Sequence, residues 1–83
     1  MEAIETVRSA AAAAGKPITH IGIELGRRPN YVSGVMSRGS TPQADTLAAM
    51  LSVCGYALAA VPVDDLPASA LVVDPASPKD QTQ

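Results

Sequence analysis

The stretch from Ile18 to Gly39, ITHIGIELGRRPNYVSGVMSRG, restricts what this chain can fold into more than any other part of it. Ile18, Ile21 and Leu25 are spaced three and four apart, which puts them on one face of an α-helix. Pro17 stands just upstream, where it ends any preceding helix, and Thr19 or the residue before it is placed to cap the start. Gly26 follows the last apolar residue, the position at which a left-handed C-terminal cap is needed. A second apolar set, Val32, Val35 and Met36, follows and stops at Gly39. Proline is tolerated only in the first turn of a helix, so this second helix is predicted to begin at Arg28 or Pro29.

Helices this short are not stable alone, because nucleation is costly and each buries little surface. They must pack on each other and on the rest of the chain. Gly22 falls on the inner side of the first of them, near Ile21 and Leu25, and brings no side chain to the point where two crossing helices come closest. Two short helices, a glycine turn and a small residue at the crossing are the physical core of a helix-turn-helix.

In these residues the chain resembles the repressor/Cro-like, or XRE-like, helix-turn-helix DNA-binding family. That family's motif of twenty residues would run here from Ile18 to Ser37. It wants a small residue at its fifth position, glycine at its ninth, and apolar residues at its fourth, eighth, fifteenth and eighteenth. The chain supplies Gly22, Gly26, Ile21, Leu25, Val32 and Val35. The tenth position, usually apolar, is Arg27, which implies a turn more open to solvent than usual.

The flanking sequence provides what the motif must pack on. Before it, Ala3, Ile4, Val7, Ala10, Ala11 and Ala14 recur at helical spacing through an alanine run of high helix propensity, predicting a helix from Met1 to Ala14 that stops at Gly15. After it, Arg38 to Pro42 reads as a turn-rich loop. A further helix is predicted from Pro42 or Gln43 to Cys54, with Leu47, Met50, Leu51 and Cys54 buried and Gly55 as its end. The loop with a proline and the helix sequence TLAAML again fit the family pattern.

Beyond Gly55 the chain departs from the commonest form of the family, which adds another helix. Tyr56 to Val61 carries β-branched and aromatic residues at its ends and near alternation, and is predicted to be a strand; Pro62 confines it to an edge or an end. Asp64 to Pro67 reads as a turn and Ala70 to Val73 as a second short strand. A two-stranded hairpin is marginal alone, so it must pack on the helices or pair with a second subunit, which would also cover its edge. The expected architecture is mainly α. It has a four-helix repressor/Cro-like domain over 1–55, a β-strand or hairpin dimerisation segment over 56–73 and a disordered tail over 74–83. A different reading makes the segment after Val63 a linear element that folds on a partner.

Composition sets limits on function. With 83 residues, two Tyr and no Phe or Trp, there is room for one small domain with an aliphatic core. Domains of this size often gain stability by oligomerising. The formal net charge is −2, yet Arg8, Lys16, Arg27, Arg28 and Arg38 all lie in the first half. Asp45, Asp64, Asp65, Asp74 and Asp80 lie in the second, opposed by Lys79 alone, so the basic charge sits where the motif is. Cys54 has no partner for an internal disulfide and reads as a small buried apolar residue. His20 has no second His, Cys or carboxylate at ligand spacing and reads as a surface residue; no metal or cofactor is expected. Glu2 and Glu5 precede the alanine run without a basic start, so no signal peptide is expected, and no apolar stretch nears the ~20 residues that span a bilayer. The expected location is the cytoplasm, on the nucleoid.

The resemblance implies that the second helix of the motif enters the major groove of double-stranded DNA. It places Arg28, Pro29, Asn30, Ser33 and Gly34 toward base edges. Asn30 suits a bidentate contact to adenine, and Arg28 suits guanine or a phosphate. Lys16, Arg27 and Arg38 would neutralise phosphates, and Thr19 or His20 would donate to one. Tyr31 either lies against the sugar-phosphate backbone or packs inward. At Gly34 the family often carries a long polar side chain, so specificity rests on fewer residues here or on DNA shape.

One domain offers few contacts. A two-fold homodimer would present two reading helices one turn of DNA apart, paired through Tyr56, Leu58, Val61, Leu71 and Val73. The expected function is therefore a prokaryotic or phage transcriptional regulator, a repressor that occupies an operator as a dimer. The acidic C-terminal half suggests a second reading, a protein-interaction inhibitor such as an antitoxin or a phage-encoded inhibitor of host defence, which could also repress its own promoter. Ser33, His20 and Asp45 are the only loose candidates for a triad, and nothing in the spacing holds them together, so an enzyme is not expected.

Overall fold

The computed structural model describes residues 1–75 and contains four α-helices, with no strand among those residues. They are α1 (Ala3–Ala14), α2 (Ile18–Glu24), α3 (Tyr31–Arg38) and α4 (Ala44–Val53), followed by a single 3-10 turn at Val63–Asp65. The second of these is central: α2 packs on both α3 and α4, and α1 closes over α4.

The core is aliphatic throughout. Ile4, Val7, Ala10 and Ala11 come from α1, Ile21 from α2, Val32 and Val35 from α3, and Leu47, Met50 and Leu51 from α4, with Cys54 at its end. Ile21, Met50, Val7 and Val32 are fully enclosed, and each such side chain contributes about 1.5–3 kcal/mol by leaving water. The seven-residue α2 is therefore held by tertiary burial, since its length gives it little stability of its own. Helix α1 also buries Thr6, which the apolar spacing missed; its hydroxyl donates to the Ala3 carbonyl, so the burial leaves no unpaired group. Ala14, expected on the inner face, is exposed at the last residue of the helix.

All four helices end at a glycine with positive φ, at Gly15, Gly26, Gly39 and Gly55. The α2 end shows what this does. The Gly26 N–H donates to the Ile23 carbonyl (3.0 Å) and the Arg27 N–H to that of Gly22 (2.8 Å), closing the helix and reversing the chain toward α3. At Gly26 φ is +74°, a conformation that costs a side-chain-bearing residue free energy.

All four helix starts differ from expectation. Helix α1 begins at Ala3, not at Met1, and α2 begins at Ile18 with Pro17 at its N-cap, so Thr19 lies inside the helix and caps nothing. Regular α3 begins at Tyr31, not at Arg28 or Pro29. Arg28 to Tyr31 instead forms a turn closed by Tyr31 N–H to the Arg28 carbonyl (3.0 Å). Pro29 disfavours helical backbone at the residue before it, and its fixed φ suits the second position of a turn. Helix α4 starts at Ala44, after Gln43 with extended backbone.

Neither expected strand is present among the described residues of the single chain. After Tyr56 N–H closes the end of α4 on the Leu51 carbonyl (2.9 Å), no backbone N–H from Ala57 to Val63 bonds another described backbone group. A strand requires a neighbouring ladder; after the 3-10 turn that follows Pro62, residues 70–73 line the same depression as 56–61, but their backbones exchange no hydrogen bond. The later segment meets Met1 instead: the Met1 nitrogen donates to the Val72 carbonyl (3.1 Å) and Asp74 N–H to the Met1 carbonyl (2.9 Å). Asp74, expected to open a disordered tail, thus belongs to the folded unit, and its carboxylate also pairs with the Met1 amino group at 2.8 Å. The expected tail beyond Pro75 lies outside the described residues.

Candidate functional site

The outward face of α3 is fixed by what the helix buries. Val32 and Val35 point into the core, and Tyr31 and Met36 lie half-buried beside them. By helical spacing this leaves Asn30, Ser33, Gly34, Ser37 and Arg38 along the opposite stripe, and all but the half-buried Gly34 are exposed. Ser37 was not singled out in the sequence, although its place seven residues after Asn30 and three after Gly34 puts it on the same stripe.

The position of α3 against α2 depends on Gly22. A Cβ there would collide with the Arg28 carbonyl oxygen and stand 3.2 Å from Tyr31 Cβ. The turn before α3 therefore lies directly on α2, and Arg28, Pro29 and Asn30 are held outward at the N-terminal end of the exposed stripe. Asn30 precedes the first helical residue but makes no side-chain cap bond, and its amide has no hydrogen-bond partner among the described residues. The Ser33 hydroxyl donates to the Asn30 carbonyl at 3.2 Å and keeps its acceptor lone pairs.

Arg27, Arg28 and Arg38 surround a shallow depression of about 300 Å3, completed by Asn30, Tyr31 and Gly34. No carboxylate lines it, and none of the three guanidinium groups forms an ion pair among the described residues. Arg27 lies over the Tyr31 ring, 5.3 Å from its centroid, an arrangement that holds the cation without neutralising it. Tyr31 is half-buried, packed on the core on one side and lining the depression under Arg27 on the other.

The remaining expected site residues are dispersed. Thr19 and His20 are exposed in the first turn of α2. Lys16 does not join the arginines: its ammonium donates to the Val53 carbonyl at 2.9 Å and pairs with Glu24 at 3.2 Å, tying the link between α1 and α2 to the end of α4. Its partners come from distant parts of the chain, so no local pattern reveals the tie. Arg8, also basic, is engaged with Glu5 (3.7 Å) and the Met36 sulfur (3.3 Å).

The C-terminal residues expected at a dimer interface divide into two groups. Tyr56 and Leu71 are half-buried against the core, whereas Leu58, Val61 and Val73 are exposed. They continue into further exposed apolar side chains at Val63, Leu66 and Val72. Cys54 is buried, and burial pushes its thiol above the usual range, with nearby Lys16 opposing the shift and Glu24 adding to it. Among the described residues no cluster of three or more His, Cys, Asp or Glu could hold a metal ion, and no helix is long and apolar enough to cross a membrane. Comparison with protein-family models, with curated proteins and with solved structures finds no match to this chain.

Proposed function

We propose that the chain is a small repressor/Cro-like (XRE-like) regulator of prokaryotic or phage type that binds double-stranded DNA sequence-specifically and represses by occupying an operator as a homodimer. The observation that supports this most is the exposed stripe of α3, which carries an asparagine amide and is ringed by three guanidinium groups, none of them with a hydrogen-bond or ion-pair partner among the described residues. A B-DNA major groove is ~12 Å wide and admits one α-helix. With α3 in that groove, Asn30 pairs with adenine N6 and N7, and Arg28 reaches guanine or the adjacent phosphate. Arg27, fixed over Tyr31, neutralises the backbone, and Thr19 and His20 lie where α2 crosses it. A symmetric pair of domains sets two α3 helices about 34 Å apart. The protein then acts in the cytoplasm, on the nucleoid.

Selection from a random double-stranded DNA library tests the reading. The expected result is an enriched two-fold symmetric sequence. Binding to it should fall by about 1–3 kcal/mol on Asn30→Ala or Arg28→Ala. A library that yields no enriched sequence, or equal binding by both variants and the parent, sinks it.

The exposed apolar side chains from Leu58 to Val73 favour a second reading, in which this segment docks on another protein and the chain is an antitoxin or an inhibitor of host defence, with or without autoregulation. Its test is capture of one stoichiometric partner, lost on truncation after Gly55.

A further inference from the structure

The middle of α3 combines two features that the reading above leaves unused. Gly34 stands at the centre of the eight-residue helix, where glycine is a poor helix former. Arg38, one turn later on the same face, does not extend into solvent past the helix end. Its Nη1 lies 3.1 Å from where a Cβ would stand on Gly34, and its Cζ 4.0 Å away. Side chains on a helix lean toward its N-terminus, so an arginine four residues after a glycine can lie across the bare backbone. The guanidinium is thereby carried from the last turn of α3 to the middle of the exposed stripe, between Asn30 and Ser37. It also lines the same depression as Arg28 and Asn30, with no carboxylate to hold it there.

We infer that Arg38, laid across Gly34, is a base-reading residue for guanine, filling by its own side chain the central place that Gly34 leaves empty. This rests on the DNA-binding reading of α3 and changes the role of Arg38 within it. An arginine at the flank of a reading helix meets phosphate, whereas one over its central stripe meets base edges, where its planar fork matches guanine O6 and N7. Gly34 is then a positioning residue: it touches no DNA, and its missing side chain sets the course of Arg38.

The test uses the sequence enriched by the full chain and its single-base-pair variants, with Arg38→Ala, Arg38→Lys and Gly34→Ala. Arg38→Ala should lose roughly 10- to 100-fold affinity for the enriched sequence and much less for the variant lacking one central G·C pair, so that preference at that pair disappears. Arg38→Lys should keep the slope of affinity against salt while losing the same preference, because the ammonium retains charge but not the fork. Gly34→Ala should leave helical content and Tm equal or higher, yet weaken preference at the same base pair by displacing the guanidinium. If Arg38→Ala instead lowers affinity by one factor on every sequence and reduces the salt slope by about 1, Arg38 contacts phosphate only and the inference fails while the DNA-binding reading stands. If the parent chain enriches no sequence, both fail.

Discussion

The carbonyl oxygen of Arg28 rests against Gly22 at a point where no side chain fits. This contact joins the turn before α3 to the middle of α2, and the presentation of Arg28, Pro29 and Asn30 follows from it. In Gly22→Ala the added carbon meets a backbone atom, which cannot swing aside as a side-chain end can. The expected cost is about 1–3 kcal/mol from overpacking, against a gain of about 0.5–1 kcal/mol from helix propensity. The net outcome is a lower thermal midpoint. A raised midpoint would show that the turn yields without strain.

Lys16 is expected to act on stability and not on DNA. Its ammonium lies at the C-terminal end of α4, where a cation meets unpaired carbonyls, and it also holds Glu24. Lys16→Gln should cost about 1 kcal/mol, since both bonds are partly open to solvent. The salt slope of DNA binding should stay that of the parent. A slope reduced by about 1 with unchanged stability would place Lys16 on a phosphate instead.

The C-terminal segment should separate folding from self-association. Tyr56 and Leu71 pack on the core, so Tyr56→Ala and Leu71→Ala are each expected to lower stability by about 1–3 kcal/mol for a half-buried side chain, and Tm with it. Leu58 and Val61 are exposed in one chain, so Leu58→Asp with Val61→Asp should leave the circular dichroism of the helices intact. In sedimentation the same pair should shift a dimer to a monomer. A double variant that sediments like the parent would remove this segment from the interface.

Stability should decline in alkali through Cys54. Burial raises its thiol pKa in the folded chain, while an unfolded thiol ionises near ~8.5. The unfolded state therefore sheds its proton first as pH rises. The stabilisation is complete below that value and is lost as pH climbs through the folded pKa. Denaturation midpoints from neutral pH to the alkaline range should fall more steeply in the parent than in Cys54→Ala. Parallel curves would mean that the thiol ionises equally in both states.

How much of this was legible in the residues follows from the range of the forces involved. Periodicity and glycine stops are local, and they were enough to place four helices, their glycine ends and a core of Ile21, Val32, Val35, Leu47 and Met50. Local chemistry was also enough to gather Arg27, Arg28 and Asn30 on one surface, because they are neighbours in the chain. Where Lys16 goes depends on Val53, and how Tyr56 divides from Leu58 depends on α1 and α4, neighbours that no short window contains. The single chain shows no strand among its described residues for the same reason, since a run of strand-forming residues becomes a strand only when another segment arrives at ladder distance. Sequence by itself thus determined the helices, the charge they carry and the four-residue spacing that lets Arg38 lie over Gly34. Only the tertiary structure decided that the Arg28 carbonyl closes on Gly22 and that Lys16 reaches the Val53 carbonyl, because these contacts join different elements and are set by how closely atoms approach once the chain has packed.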